Sequence, residues 1–386
     1  VAELKRSQLE AVAAHRDRLR KDPHLRWLFF EITDRCNLEC SHCGSSCSAE
    51  GQYLNVSDID KTLSTIHGDK PSVCLTGGEP MLHPDIYEIA EKISSLGFAW
   101  GMTTNATLID DAAAEKLRHA GMSTVSVSLD GMEKSHDELR NRSGAWRNAL
   151  RGIKALQNAG FSPQVTTVLH RGNFDELDAV YDLLCDMGIK SWRPINVEPI
   201  GRACESGDMM LTSDQFDHLL SYIRNKRFDP DCSMEVTFGC SHYLGTEYER
   251  MVRDHYFLCG AGILTASVRS NGDICACLDI ESRPELVQGN IKTDNFTDVW
   301  NERFGVFRRD RTEDSSKCRA CTERYVCGGD SAHTWDFGSN EPLMCCLFAD
   351  AGKWGIEMTF DGVHFSPEGH SVFAEHMNDL LQENQR

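Results

Sequence analysis

The chain has no run of about 18 apolar residues, and its N-terminus, VAELKRSQLEAVAAHRDRLRK, is a charged helical pattern rather than a secretion signal. A membrane span is therefore not expected, and we expect a cytoplasmic protein. The chain also lacks a long block of lysine and arginine, since 59 acidic residues against 40 basic ones give a formal net charge of −19. That charge disfavours binding to nucleic acid or to an anionic membrane, and it favours a small molecule or a peptide as partner.

Disulfide bonds are not expected either, although the sequence contains 17 cysteines. Glutathione and thioredoxin keep cytosolic thiols reduced, so we interpret the clustered cysteines as metal ligands. Scattered cysteines such as Cys74 and Cys185 are interpreted as small apolar residues of the core.

From about residue 26 onward, short β-rich runs alternate with amphipathic helical stretches, which is typical of an α/β fold. The predicted strands are 27–33, 72–76, 98–103, 124–129, 164–169 and 191–197, and the predicted helices are 58–66, 85–97, 111–121, 146–160 and 174–188. Six such units predict a partial (β/α)6 barrel of the TIM type. Its polar loops are expected at the C-terminal ends of parallel strands.

After about residue 230 the helical periodicity fades and cysteines become frequent. This change predicts a small cysteine-rich α+β domain in which metal–thiolate bonds replace a large core. Within it, RSNGDICACLD predicts a hairpin that turns at Asn271-Gly272. The predicted organisation is an N-terminal helix over 1–25, a barrel over 26–228, the cysteine-rich domain over 229–348, and a tail over 349–386 that contains a helix.

Three cysteines, Cys36, Cys40 and Cys43, stand close together in TDRCNLECSHCGSSC, directly after the first predicted strand. Thiolates with the spacing C-x3-C-x2-C can hold three irons of a [4Fe–4S] cluster and leave the fourth iron open. Cys47 is an alternative ligand for that fourth iron. A zinc site is the alternative for the whole motif, although zinc sites usually pair two C-x2-C hooks, which these positions do not offer.

Polar motifs follow at the ends of the next predicted strands: GGEP at 77–80, MTTNAT at 102–107 and VSLDG at 127–131. Paired glycines let a backbone approach a ligand closely, and a barrel displays its site at these strand ends. Each motif alone is a weak indication of a binding site, since GGEP could be only a tight turn. The three motifs in this order and spacing are a very specific indication.

Together with the cysteines, these motifs resemble the radical SAM enzymes over roughly residues 26–225. The resemblance implies that Cys36, Cys40 and Cys43 bind a [4Fe–4S] cluster whose open iron takes the amino and carboxylate groups of S-adenosylmethionine. It also implies further contacts to that cofactor, with Glu79 on the methionyl amino group, an arginine on the methionyl carboxylate, and polar residues near the ribose. The candidates are Gly77, Gly78, Glu79 and Pro80 of GGEP, Thr104, Asn105, Ser128 and Asp130 on the ribose side, and Arg140 or Arg142 as the arginine.

In that family an aromatic residue usually precedes the last cysteine, and here the position is His42, for which we expect packing near the adenine. The reaction implied by the resemblance is reductive cleavage of S-adenosylmethionine to a 5′-deoxyadenosyl radical, which abstracts a hydrogen from the substrate.

The second cysteine-rich region resembles the SPASM extension of radical SAM enzymes, which carries up to two auxiliary iron–sulfur clusters. The ligands implied for the outer cluster are Cys318, Cys321, Cys327 and either Cys345 or Cys346, and those implied for the inner cluster include Cys259 and Cys277. A zinc ribbon is the alternative.

The inner cluster departs from the family pattern at two positions. Ser331 stands where that family has a cysteine after Cys327, and the cysteine that it has shortly after Cys259 is missing, with Thr265 near that place. Cys275, Cys240 or Asp330 could complete the inner cluster. Otherwise it is open for substrate, reduced in nuclearity, or absent.

Three residues at the last barrel strand, Glu198, Arg202 and Cys204, could line a substrate cavity. For each of them a strand end followed by a turn is the alternative. Cys204 or Cys240 could donate hydrogen to a substrate radical, as cysteines do in radical SAM epimerases, and a purely structural thiol is the alternative.

The leading functional prediction is an oxidoreductase that matures a ribosomal peptide by forming a crosslink, a thioether or an epimer. It implies a peptide substrate, a leader-recognition domain on a separate chain, and an external electron donor such as flavodoxin or ferredoxin. The alternatives are radical modification of a small molecule, such as a cofactor precursor or a sugar, and a non-catalytic iron–sulfur electron carrier. A carrier has no need of a sulfonium-binding barrel.

Overall fold

The computed structural model describes residues 6–45, 47, 51–205, 209–239, 242–321 and 323–343. Cys240, Cys345, Cys346 and the tail predicted over 349–386 lie outside the described residues. Among the described helices, none combines the length and the apolar character needed to cross a membrane.

Strands and helices alternate along the first two thirds of the chain. The strands are β1 (Trp27–Thr33), β2 (Ser72–Gly77), β3 (Trp100–Thr104), β4 (Thr124–Ser128), β5 (Gln164–Leu169), β6 (Ser191–Asn196), β7 (Glu235–Val236), β8 (Thr265–Val268), β9 (Asp273–Cys275), β10 (Gly289–Asn290), β11 (Trp335–Asp336) and β12 (Glu341–Pro342). The helices are α1 (Arg6–Lys21), α2 (Val56–Ser64), α3 (Ile86–Ser95), α4 (Asp111–His119), α5 (Glu133–Leu139), α6 (Ala145–Asn158), α7 (Leu177–Asp186), α8 (Ser213–Phe228), α9 (Gly245–Val252), α10 (Phe296–Glu302), α11 (Gly305–Arg308), α12 (Ser316–Ala320) and α13 (Arg324–Cys327).

Ten of these strands form one sheet in the order β10-β9-β8-β1-β2-β3-β4-β5-β6-β7. From β1 to β7, neighbouring strands are parallel and follow chain order. All six predicted strands are present, and β1 and β5 have the predicted bounds. The structure therefore confirms the partial (β/α)6 barrel.

Apolar and polar side chains alternate along the strands, and the helices pack on the apolar face of the sheet. In β1, Leu28, Phe30 and Ile32 are fully buried and belong to the same core cluster as Ile153 and Leu156 of α6. Burial of each such side chain contributes about 1.5–3 kcal/mol. This apolar layer fixes the register of the strands, because a shift by one residue would turn the apolar set away from the helices.

The opposite face of the sheet is polar and partly open to solvent. It carries Cys74, Ser126, Thr166 and Arg193, of which Ser126 and Thr166 are joined by a hydrogen bond of 3.1 Å between their hydroxyls. Cys74 thus lies half-buried on this open face rather than in the packed core. This face of the sheet thus presents polar side chains that are partly accessible to solvent.

The predicted hairpin at Asn271-Gly272 is formed by β8 and β9. It is not confined to the cysteine-rich domain, because β8 pairs in parallel with β1 and so extends the barrel sheet. The turn of the hairpin also contacts β1, because the Ser270 backbone N donates a hydrogen bond to Glu31 at 3.1 Å. Glu31 accepts a second hydrogen bond from the Ser45 hydroxyl at 3.2 Å. The predicted domain limits at residues 25, 228 and 348 stay predictions.

The first helix packs against a segment near the other end of the described chain. Arg16 donates from Nη1 to the carbonyl of Tyr325 at 3.1 Å, and Arg20 donates from Nη2 to the carbonyl of Gly328 at 3.1 Å. The two guanidinium groups therefore hold α1 beside α13, which ends at Cys327.

Candidate active site

The loop after β1 brings Cys36, Cys40 and Cys43 together. Their side chains pack on a small apolar cluster formed with Leu38 and Ala145. The backbone N of Ser41 donates to the carbonyl of Leu139 at 2.9 Å, which ties the loop to the end of α5. The three predicted cluster ligands thus share one anchored, half-buried loop.

Arg202 holds the same loop from the far side of the barrel. Its Nε donates to the Cys40 carbonyl at 2.8 Å, and its backbone N donates to the Cys43 carbonyl at 3.1 Å. The residue predicted to line a substrate cavity therefore contacts the backbone of the cysteine loop.

The paired glycines of GGEP lie against the backbone of the segment that follows β1. Gly78 donates from its backbone N to the Thr33 carbonyl at 2.8 Å, and Glu79 donates from its backbone N to the Arg35 carbonyl at 2.7 Å. A Cβ at Gly77 would lie 2.2 Å from the Thr33 oxygen, and a Cβ at Gly78 would lie 2.2 Å from the Arg35 oxygen. Two glycines are needed here because this close backbone contact positions the residues directly before Cys36.

Glu79 is buried, and its carboxylate links the ends of β2 and β3. It accepts hydrogen bonds from the Thr104 hydroxyl at 2.7 Å, from the Asn105 backbone N at 2.8 Å and from the Met81 backbone N at 3.2 Å. Burial raises the pKa of Glu79, although these donors act in the opposite direction. Its predicted contact with the methionyl amino group stays a prediction.

Pro80 starts a short 3-10 helix, Pro80–Leu82, that turns the chain away from the strand end. Proline suits the first position of a helix because its fixed φ matches the helix and its missing N–H has no intrahelical partner there.

An amide inside the cysteine motif, which sequence reasoning missed, connects the loop to β3. Asn37 accepts a hydrogen bond at Oδ1 from Asn105 Nδ2 at 3.0 Å and donates from Nδ2 to the Thr107 hydroxyl at 2.8 Å. The available signal was an amide within the motif together with the polar run at 102–107. Asn105, predicted near the ribose, is thus engaged with the cysteine loop.

Asp130 and Arg140 form a buried ion pair beside the cluster loop. Arg140 Nε lies 2.6 Å from Asp130 Oδ2, and Arg140 Nη1 lies 3.6 Å from the Cys40 sulfur. Burial would raise the pKa of Asp130, but Arg140 holds it below its usual range. Burial also raises the pKa of the Cys40 thiol, and the guanidinium opposes this effect. Arg140 is therefore placed to stabilise a thiolate at Cys40.

The structure separates the two arginines considered for the methionyl carboxylate. Arg140 is buried, whereas Arg142 is exposed on the surface. Of the two, only Arg140 lies beside a predicted cluster ligand.

Several buried polar atoms around the loop have no hydrogen-bond partner among the described residues: His42 Nδ1, His170 Nε2, Arg202 Nη2 and Asn196 Oδ1. His42 also lies close to Asp130, and burial lowers the pKa of His42 to about 4. Buried polar atoms are normally paired, so this set fits a site for a polar ligand. The residues present fit S-adenosylmethionine beside a cluster on Cys36, Cys40 and Cys43.

Two further residues lie next to this site. The Cys47 thiol is within hydrogen-bonding reach of the thiols of Cys36 and Cys43, so the alternative of a fourth thiolate ligand stays open. Ser128 ends β4 on the half-buried open face of the sheet, which is compatible with its predicted position near the ribose.

Glu198 is buried between two imidazoles. Its Oε1 lies 3.1 Å from His242 Nδ1, and its Oε2 lies 2.7 Å from His333 Nε2. Burial would raise the pKa of Glu198, but the two histidines hold it well below its usual range. In turn, burial would lower the pKa of His333, but Glu198 raises it to about 9. The carboxylate is thus already paired and is poorly placed to contact a substrate.

Cys204 lies exposed on the 3-10 turn Gly201–Glu205. Partial burial raises its pKa, with Glu281 and Glu205 adding to the effect. Its predicted role as a hydrogen donor stays a prediction, and Cys240 lies outside the described residues.

The outer auxiliary ligands follow one another around two short helices. Cys318 lies in α12, Cys321 at its C-terminal cap and Cys327 at the end of α13. Ser315 accepts a hydrogen bond from the Cys318 backbone N at 3.0 Å and so caps α12. Arg16 lies near Cys327 and would offset the negative charge of a thiolate-bound cluster.

In the inner auxiliary region, two of the predicted candidate ligands already accept hydrogen bonds from the backbone. Cys259 accepts a hydrogen bond at sulfur from the Ala332 backbone N at 3.3 Å, next to Ser331. Asp330, one of the candidate ligands, is buried and accepts hydrogen bonds from the backbone N of Tyr243 and of Ser331, both at 2.9 Å. Cys275 is buried in β9, and burial raises its pKa to about 12.

Instead, Cys277 lies with two residues that sequence reasoning missed, Asp279 and His333. One possible ligand atom from each lies within 4.8 Å of the other two. The available signals were the DICACLD hairpin strand and the histidine of GGDSAH.

Comparison with known proteins identifies both halves of this arrangement. The radical SAM superfamily model matches residues 30–184, and the SPASM iron-sulfur cluster-binding domain model matches residues 259–322. The chain contains a radical SAM domain and a SPASM domain. It is therefore an enzyme of the class that uses a [4Fe–4S] cluster with S-adenosylmethionine, and its SPASM domain implies auxiliary iron–sulfur clusters.

Several similar proteins align with most of the length of this chain. It is 28% identical to an AdoMet-dependent heme synthase of Oleidesulfovibrio alaskensis, over 83% of this chain and 87% of the relative. It is 29% identical to an AdoMet-dependent heme synthase of Methanosarcina barkeri, over 85% of this chain and 98% of the relative. It is 27% identical to the mycofactocin maturase MftC of Mycolicibacterium smegmatis, over 78% of this chain and 76% of the relative.

Among solved structures, SuiB of Streptococcus suis bound to the precursor peptide SuiA matches with a TM-score of 0.64 and 18% identity, over 92% of this chain and 78% of that chain. This likeness shows the shared fold. The radical SAM and SPASM predictions are thus confirmed, and a non-catalytic electron carrier is not supported.

Proposed function

We propose that this radical SAM enzyme modifies a small cofactor precursor, an iron tetrapyrrole with carboxylate side chains, rather than a peptide. The observation that carries the proposal is the match to two heme synthases across 83% and 85% of the chain, which includes both the barrel and the SPASM region. The mycofactocin maturase matches a smaller share, 78%. The small-molecule alternative is therefore better supported than the leading prediction of peptide maturation.

The chain's own residues have defined tasks in this proposal. When bound, the cluster and S-adenosylmethionine supply the radical chemistry. Cys36, Cys40 and Cys43 hold the cluster, while Arg140 balances the charge beside Cys40. The unpaired buried atoms of His42 and His170 offer polar contacts to the cofactor. A flavodoxin or a ferredoxin is the proposed reductant.

The open face of the sheet supports a substrate with carboxylates. Arg193 is half-buried on this face, and no carboxylate among the described residues pairs with it. A guanidinium group in such a position can bind a carboxylate with two hydrogen bonds. The neighbouring side chains Ser126, Thr166 and Cys74 are small, which leaves room for a planar ring.

The proposal is tested with anaerobically reconstituted enzyme, S-adenosylmethionine, a reductant and iron coproporphyrin III. We expect the porphyrin to stimulate formation of 5′-deoxyadenosine and to be converted to a product of different mass, as followed by liquid chromatography and mass spectrometry. The Cys40→Ala variant serves as a control in which neither product forms.

A parallel reaction with the peptide SuiA separates the two candidate functions. An unchanged porphyrin mass together with no stimulation of 5′-deoxyadenosine would overturn the proposal. Modification of SuiA without modification of the porphyrin would support peptide maturation instead.

A further inference from the structure

The inner half of the SPASM region lacks two of the thiolates that a [4Fe–4S] cluster would need. Ser331 occupies one position at which the resemblance predicts a cysteine, and the cysteine predicted shortly after Cys259 is missing, with Thr265 near that place. Ser331 is buried, and the adjacent Ala332 backbone N donates to Cys259. A hydroxyl is a poor substitute for a thiolate on iron, so the residues present do not fit a cubane cluster at this place.

Three donors of different chemistry meet at the same place. Cys277 and Asp279 lie just after β9, and the Cys277 sulfur is 3.7 Å from Asp279 Oδ2. His333 comes from the segment before β11, and all three ligand atoms lie within 4.8 Å of one another. We infer that Cys277, Asp279 and His333 form a mononuclear site for a divalent transition-metal ion in place of the inner cluster.

The three donors lie close enough together to bind one ion. Bonds from zinc to sulfur, nitrogen or oxygen measure about 2.0–2.3 Å, so two donors of one ion are at most about 4.6 Å apart. The donor atoms of Cys277, Asp279 and His333 all lie within 4.8 Å of one another, so a small movement of the exposed Asp279 side chain would let one ion bind all three.

Glu198 provides an independent observation that points to the same role for His333. Its Oε2 lies 2.7 Å from His333 Nε2, which fixes the imidazole ring, and we therefore assign the ion to the other ring nitrogen, Nδ1. A carboxylate on the far nitrogen of a histidine ligand is the usual outer partner at a metal site. Glu198 is thus a positioning residue, and this role accounts for a buried carboxylate at the end of the barrel.

The donor set indicates the class of ion. One thiolate, one imidazole and one carboxylate suit Zn²⁺ or Fe²⁺, and three protein ligands leave a position for water or for a group of the substrate. Asp279 is exposed, so an ion can enter from solvent. The inference does not depend on which substrate the enzyme modifies.

The test uses enzyme whose iron–sulfur clusters have been reconstituted anaerobically and which is then desalted and titrated with Zn²⁺. Zinc per chain is measured by mass spectrometry after dialysis, and X-ray absorption at the zinc edge identifies the donors. We expect a bound zinc ion with a mixed shell of sulfur and nitrogen or oxygen. His333→Gln and Asp279→Asn should each lose this ion.

Glu281→Gln is the matched control, because Glu281 is an exposed carboxylate close to Asp279 that is not part of the donor set. It should retain the ion. Asp279→Asn changes an exposed side chain, so it tests the site even if His333→Gln fails to fold. Glu198→Gln should weaken zinc affinity about 10–100-fold in competition with a chelator, without changing the amount bound at saturation.

Three results would overturn the inference. One is equal zinc content in wild type, His333→Gln and Asp279→Asn. Another is a zinc shell made of sulfur alone. The third is a Mössbauer spectrum in which Cys277→Ala removes a complete [4Fe–4S] cluster.

Discussion

At the scale of single residues, the buried ion pair of Asp130 and Arg140 places a positive charge beside the Cys40 sulfur. Arg140→Gln would leave the Asp130 carboxylate buried without its partner, and we expect the free energy of unfolding to fall by about 3–5 kcal/mol. Arg147→Gln is the control, because Arg147 pairs with Glu133 at the surface, where such a pair contributes about 0–1 kcal/mol. Urea denaturation of both variants measures the difference, and equal losses would contradict the prediction.

A second residue predicts how stability depends on pH. His136 is buried and accepts a hydrogen bond at Nδ1 from the Asp130 backbone N at 3.0 Å. Burial lowers its pKa from 6.5 to about 4, with Asp130 and Asp137 opposing the effect and Arg140 adding to it. Between these two pH values the unfolded chain binds a proton that the folded chain does not bind. The free energy of unfolding should therefore fall as the pH decreases from about 6.5 to about 4, by roughly 1–3 kcal/mol from this group.

The measurement is a series of urea denaturation curves between pH 4 and pH 7. His136→Asn should show a shallower loss of stability at acidic pH than wild type. His119→Asn, which changes an exposed histidine, should follow wild type. If His136→Asn and wild type lose stability in parallel, burial of His136 does not cause the pH dependence.

The cysteine loop and GGEP could be located from sequence because each is a short local motif. The contact of Glu198 with His333 could not be predicted, because it joins the end of β6 to a segment in the cysteine-rich region. The same limit applies to Asp279. A carboxylate two residues after a cysteine has no local signature until His333 is placed beside it.

At the scale of secondary-structure elements, the contact between β2 and the segment after β1 depends on Gly78. A methyl group there would lie 2.2 Å from the Arg35 oxygen, so Gly78→Ala should displace the cysteine loop. We expect reconstituted enzyme to retain several-fold less cluster iron. Gly305→Ala is the control, since a Cβ at that position meets no atom within 4 Å. Iron analysis compares the two variants, and equal iron content would contradict the expected role of Gly78.

The open face of β6 leads to a prediction that rests on the proposed function. Arg193→Gln should raise the KM for iron coproporphyrin III about 10–100-fold, because a charged hydrogen bond to a carboxylate contributes about 1.5–3 kcal/mol. Arg151→Gln, on the exposed face of α6, should leave KM unchanged. Steady-state kinetics distinguishes the variants. An unchanged KM in Arg193→Gln would place the substrate carboxylates elsewhere.

The six barrel strands could be predicted because their apolar residues alternate and their flanking turns are clear. The pairing of β8 with β1 could not be predicted in this way. Edge pairing depends on which backbone is left free after the barrel has formed, and the local pattern of TASV at 265–268 does not carry that information.

At the scale of the whole molecule, the barrel and the cysteine-rich region share one sheet. A fragment that ends at residue 228 would lack β8 and leave the backbone of β1 unpaired on one side. Unpaired edges promote aggregation, so we expect this fragment to form soluble aggregates while the full chain does not. Size-exclusion chromatography with light scattering tests this expectation. A monomeric fragment that keeps its cluster would show that the barrel folds alone.

The hydrogen bonds from α1 to the carbonyls of Tyr325 and Gly328 have a consequence for biosynthesis. Arg16 donates a hydrogen bond to a residue 309 positions later in the chain. The pairing of β1 with β8 likewise requires a strand that is synthesised much later. Contacts between such distant residues form late, since domains are completed as the chain leaves the ribosome. The nascent protein thus presents the thiols of Cys36, Cys40 and Cys43 before β8 has paired with β1. We expect iron and sulfide to reach these thiols most easily during that interval, and slower translation of the second half would prolong it.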